Sequence, residues 1–227
     1  MTDVRSVLEA ELLAEQEFVA DVRVTEKAPA RWPAALLMFH VSMWRERLRN
    51  ALIELRDELP LTALPSDIDD FNDAELANGI GTPLTDAAAR SELLHREIMA
   101  LHEAIGERPF KWYRYSTTTE AVLRASYMHP RAHMYEYSRE NGRPERAAEL
   151  FEHAATDMRD ANAPPMILGA AIYNLALVRA GQSKGDEALA LLDEAIAIRP
   201  DLRENAVNDP DFEALREASG FQKVIRQ

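Results

Sequence analysis

The chain has 227 residues, 47% of them hydrophobic, with a formal net charge of −13 and no cysteine. This suffices for one large core or two modest ones, while the missing cysteines exclude disulfides, thiolate metal sites and a cysteine nucleophile. The acidic excess, with no dense basic run, argues against a nucleic-acid partner, and no stretch approaches the ~18 consecutive apolar residues of a membrane span. Residues 1–30 also lack the basic start, apolar centre and small-residue cleavage site of a signal peptide, so a cytoplasmic protein is expected.

Apolar residues recur every three or four positions and strand alternation is nearly missing, which predicts an all-α protein. A first helix over residues 3–24 carries Val4, Leu8, Leu12, Val19 and Val22 on one face. A second is expected from Pro33, a residue favoured at the first helical position, to Leu59, where Pro60 stops it; its stripe is Leu37, Val41, Trp44, Leu48, Leu52 and Leu55. Residues 60–83 are rich in proline, glycine and aspartate and read as a long crossover loop with a helical turn near Phe71 to Leu76. Thr85 is positioned to cap a third helix with Leu94, Ile98, Leu101 and Ile105 on one face, ending near Gly106. The next connection crowds Phe110, Trp112, Tyr113 and Tyr115 together and should pack down over the helices. Thr117 and Glu120 then read as a capping box for a fourth helix. Four amphipathic helices with a long link between the second and third describe a four-helix bundle over residues 1–142.

Residues 143–227 differ in kind. Leu175, Ala188, Leu192, Ala195 and Pro200 fall at tetratricopeptide-like intervals, and Ala147, Phe151 and Ala154 repeat part of the pattern. Stable arrays usually need about three units, so this extension is expected to dock on the bundle or on a second subunit, and a homodimer is expected.

Histidine carries the candidate chemistry. His40 sits within the apolar stripe of the second helix, three residues after Leu37 and four before Trp44. Taken alone it is a core residue with satisfied ring nitrogens. His129 and His133 are four residues apart, one turn on a continuous helix, with Cβ atoms about 5–6 Å apart. Both rings can then reach one ion at about 2.0–2.1 Å, and a third inward histidine completes a set that leaves a coordination position open. Pro130 should kink this helix or start a new one. Protonation near the ordinary histidine pKa of about 6.5 is expected to compete with metal binding. His95 and His102, seven residues apart, span about 10 Å of helix axis and read as core residues. The acidic run from Asp67 to Asp73 lacks EF-hand spacing and reads as a solvated loop.

The segments LMFHVSMW (residues 37–44), DIDDFNDAE (67–75) and SYMHPRAHMYEY (126–137) together resemble the DinB/YfiT-like superfamily, within it the branch that includes the colibactin self-resistance protein. The resemblance covers about residues 1–140. It implies a four-helix bundle, often dimeric, with a metal held by three histidines, which here are His40, His129 and His133. Members of that superfamily include thiol S-transferases, a thiol-dependent isomerase and a hydrolase that detoxifies an electrophilic natural product. The resemblance thus implies a metal-dependent thiol S-transferase or hydrolase, with a divalent zinc, nickel or iron ion, a low-molecular-weight thiol and a small electrophilic substrate enclosed by Trp44, Phe71, Asn72, Trp112 and Tyr127. The alternative is a catalytically silent bundle whose repeat-like helices bind a protein or peptide.

Overall fold

The computed structural model describes residues 2–25 and 32–226. The protein is mostly α, 78% helical, with eleven helices and a small two-stranded hairpin among the described residues. No helix there is long and apolar enough to cross a membrane. The chain divides into two compact units, Val4–Arg143 and Met1–Asp3 with Pro144–Gln227.

The first unit contains α1 (Val4–Thr25), α2 (Ala34–Arg56), a short α3 (Ile68–Leu76) and α4 (Leu84–Ile105). A hairpin follows, β1 (Pro109–Trp112) paired antiparallel with β2 (Tyr115–Thr117), then α5 (Thr118–Leu123), a π-helical turn Arg124–Met128, and α6 (His129–Glu140). The expected apolar face of α1 is buried, as are Leu37, Val41, Leu48 and Leu52 of α2 and Leu94, Ile98, Leu101 and Ile105 of α4. α2 packs along α4 and against α6, and α1 packs against α4 and the π turn, so α5, the π turn and α6 together form the fourth member of the bundle.

Element ends depart from the sequence reading for local reasons. Pro33 lies outside α2 as its cap residue, at φ −58°. The helix stops at Arg56 rather than Leu59 because Glu58 takes a left-handed φ of 56°, letting the Leu59 N–H donate to the Glu54 carbonyl (2.8 Å) and the Glu58 N–H to Leu55 (3.3 Å). This is the Schellman closure. Thr85 does not cap α4; the helix starts at Leu84, the Pro83 carbonyl accepts from Ala87, and the Thr85 hydroxyl bonds the Asp86 side chain. The crossover link carries a nine-residue helix, α3, whose start is capped by Asp67 accepting from the Asp70 N–H. The aromatic connection is the hairpin, with Tyr113 at its tip in a left-handed conformation, φ 54°. Thr117 caps α5 as expected by accepting from the Glu120 N–H, while the Glu120 carboxylate accepts from the Ser116 N–H one residue earlier than a standard capping box would place it.

The second unit contains α7 (Pro144–Asp160), α8 (Pro165–Gly181), α9 (Gly185–Ile198), α10 (Leu202–Asn208), a 3-10 turn Pro210–Leu215 and α11 (Ser219–Arg226). α8 packs against both α7 and α9, and a core of Ile172, Tyr173, Ala176, Leu192 and Ala195 is closed by Phe212 and Phe221. The Tyr173 hydroxyl donates to Asp209 (2.9 Å), tying α8 to the 3-10 turn. α7 and α8 end as α2 does: Asn162 (φ 52°) and Ser183 (φ 59°) are left-handed, and Ala163 and Lys184 donate back to Met158 and Arg179 at 2.9 Å.

Candidate metal centre

Two helices of the first unit bring His40, His129 and His133 together. His40 comes from the middle of α2, buried as its place in the apolar stripe requires. His129 and His133 come from the first turns of α6 and are partly buried. Pro130 has no N–H to offer the carbonyl four residues back, that of Ser126. The backbone answers with the π turn Arg124–Met128, and the Ser126 carbonyl accepts instead from the Arg45 guanidinium at 3.1 Å. The helix continues from His129, so the two α6 histidines keep a shared face.

Arg45 itself is held by a buried ionic layer. It bonds both carboxylate oxygens of Glu15 on α1 and the Ser91 hydroxyl (2.7 Å) on α4. Alongside, Arg131 of α6 pairs with Glu11 of α1, and its guanidinium lies 4.0 Å from the centre of the Tyr127 ring. All four charged side chains are almost wholly buried. Burial pushes the Glu11 carboxyl above the usual range, against the opposing pull of Arg131.

At the site, His129 Nε2 lies 3.2 Å from His40 Nε2 and 2.9 Å from His133 Nε2. An imidazole nitrogen offers either one N–H or one lone pair, so His129 Nε2 can complete only one of these contacts as a hydrogen bond. A cation accepts all three lone pairs at once. Nitrogens bonded at 2.0–2.1 Å to one ion are separated by about 2.9 Å for right-angle ligands and about 3.3 Å for tetrahedral ones, which brackets the two observed spacings. The donor set can therefore hold a metal ion. The buried His40 Nδ1 has no hydrogen-bond partner among the described residues, and His133 Nδ1 faces the Glu136 carboxylate at 3.8 Å.

Burial disfavours protonation of two of the three rings. Burial, reinforced by His133 and Arg47, lowers His40 to about 3. Burial likewise holds His129 well below its ordinary value, with His133 and Arg124 adding to the effect. Both rings are neutral throughout the physiological range.

The histidines open onto a cavity of about 480 Å³, within the usual size range for small-molecule sites. Trp44, Asn72 and Trp112 line it, as does Tyr113 from the hairpin tip. Trp32 stacks on His133 (ring centres 5.4 Å apart, planes 24° apart), and Trp44 stands edge-on to His129 at 6.0 Å. Phe71 and Tyr127 lie elsewhere. Phe71 packs under the Arg47 guanidinium, which also covers Trp44, and Tyr127 is fully buried beneath Arg131.

His95 and His102 point away from the cluster. His95, fully buried, bonds the Leu8 carbonyl at 2.8 Å, and His102 meets the Thr119 hydroxyl at 3.1 Å. His153 is exposed on α7.

No known protein family, curated protein or solved structure matches this chain. The likeness read from the three short segments is thus not supported by a match to any family, and the three-histidine cluster stands on its own geometry.

Proposed function

We propose that the first unit is a metal-dependent enzyme of the DinB-like type, acting as a thiol S-transferase or a hydrolase on a small electrophile. The observation that carries this reading is the convergence of three Nε2 atoms on the wall of an aromatic cavity. His40, His129 and His133 would hold the ion, and zinc, nickel and iron all suit an imidazole set. A divalent ion bound there supplies Lewis acidity, lowering the pKa of a thiol or water in its open position. The chain's own part is to orient and to exclude water. Trp32 and His133 stack to fix the ring plane, Arg45 locks the turn that carries His129, and the Trp44, Trp112 and Tyr113 rings enclose the apolar part of a substrate.

Elemental analysis of untagged protein tests the first half of this reading, with about one divalent ion per chain expected. Alanine at His40, His129 or His133 leaves two ligands and should abolish stoichiometric zinc binding, whereas His102→Ala should leave it intact. A thiol-consumption assay with an epoxide or activated halide tests the second half. Wild-type protein that takes up no ion, or triad variants with wild-type metal content, would overturn the proposal.

A further inference from the structure

Within the first unit, six buried or half-buried arginines have a carboxylate partner: Arg45 with Glu15, Arg47 with Glu75, Arg49 with Glu97, Arg90 with Glu46, Arg131 with Glu11 and Arg143 with Asp21. Arg124 is half-buried and, among the described residues, forms no ion pair. Its side chain instead lies beside the hydroxyl of the buried Tyr115. Among the described residues it is also the only arginine or lysine lining the 480 Å³ cavity. It begins the π turn that ends against His129, and its charge is felt there, since it helps disfavour protonation of that ring.

A guanidinium carries five N–H donors in a rigid fork, and its strongest partners are carboxylates and related oxyanions. Taking one partly out of water without such a partner is costly. One hydroxyl contact leaves most of the fork unused, and aromatic side chains line the cavity beside it. We propose that Arg124 is the anchor for a single anionic group, a carboxylate or a similar oxyanion, on a small ligand whose apolar body lies among Trp44, Trp112 and Tyr113. Asp69 and Asp73 line the same cavity from α3, and their charge selects against a polyanion. Tyr115 fixes the guanidinium in place, so it is a positioning residue. This names the substrate class of the site proposed above and rests on its being a substrate cavity.

All three tryptophans of the chain, Trp32, Trp44 and Trp112, line this cavity, so intrinsic fluorescence reports binding there directly. The probes are two matched pairs, phenylacetate with phenylacetamide and cyclohexylacetate with cyclohexylacetamide. They are titrated into wild type, Arg124→Gln and Arg124→Lys, each metal-free and zinc-loaded, with folding checked by circular dichroism. The acids should bind about tenfold or more tightly than the amides, the size of one charge-assisted contact. The preference should vanish in Arg124→Gln, survive in part in Arg124→Lys, and be present without zinc. Equal binding of acid and amide in wild type, or no binding of any probe, overturns the inference. A preference that needs zinc and survives Arg124→Gln assigns the carboxylate to the ion; this overturns the anchor and leaves the metal reading standing. A preference lost in Arg124→Gln in a protein that takes up no zinc supports the anchor while the metal reading fails.

Discussion

Replacing Arg45 with methionine should be among the most damaging single changes in the first unit. The substitution keeps much of the apolar volume and removes a guanidinium with no exposed surface, leaving the Glu15 carboxylate buried without its partner. Breaking a buried ion pair from one side costs about 3–5 kcal/mol. The Ser91 hydroxyl and the Ser126 carbonyl also lose their donor, and an orphaned buried acceptor adds about 1–3 kcal/mol. A loss of about 4–8 kcal/mol is expected, a large part of the roughly 5–15 kcal/mol that domains possess. Urea unfolding followed by tryptophan fluorescence measures it for this unit, because all three tryptophans lie there. The double variant Glu15→Met with Arg45→Met removes both charges and should recover most of the loss. A cost below about 1 kcal/mol for Arg45→Met, or a double variant no better than the single, would show that the ionic layer is not what holds these helices. Zinc affinity gives a second reading. With the Ser126 carbonyl released, the turn carrying His129 loses its restraint, and a fall of about 10–100-fold is expected, as for other supports of metal ligands.

Two further outcomes follow from the fold. His95 is lowered to about 3 by burial and Arg45, so the unfolded chain binds a proton below its pKa of about 6.5 that the folded chain refuses. Stability from this group is present above 6.5 and lost as pH falls toward 3. His95→Gln should remove about 1.4 kcal/mol per pH unit from the acid slope of the unfolding free energy, and an unchanged slope would contradict the assignment. Glu58 and Ser183 occupy left-handed closing positions, so Glu58→Gly and Ser183→Gly should each stabilise by about 0.5–1 kcal/mol, the strain relieved less the extra chain entropy of glycine; thermal denaturation checks both.

Long helices and the histidine triad were legible in the sequence because both depend on spacing along one helix face. Glu11 and Glu15 carry an equally legible signal. They stand at helical spacing from Leu8 and Leu12 on the buried side of α1, and polar residues on an apolar stripe point to a buried network. Glu58 ended α2 without any glycine to announce it. The hairpin offered only four and three residues, too few for alternation to register. Trp32 precedes the first periodic residue of α2, so nothing marked it as a neighbour of His133. Nothing in the sequence sets Arg124 apart, since a missing partner is a fact of three-dimensional arrangement alone.

The π turn also has a consequence for register. A helix that takes one extra residue into a turn leaves everything after it about 100° and about 1.5 Å behind its place in an uninterrupted α-helix of the same sequence. Ala121, Val122 and Leu123 before the turn, and Met134 and Tyr137 after it, are buried, so the apolar pattern on each side is set independently. The histidines face the cavity only because the count between the two halves is off by one. The same chain closing Arg124–Met128 as plain α-helix would keep every side chain of the triad and swing His129 and His133 around the axis, away from His40. The site is therefore written in the phase between two helical segments as much as in the identity of its three ligands.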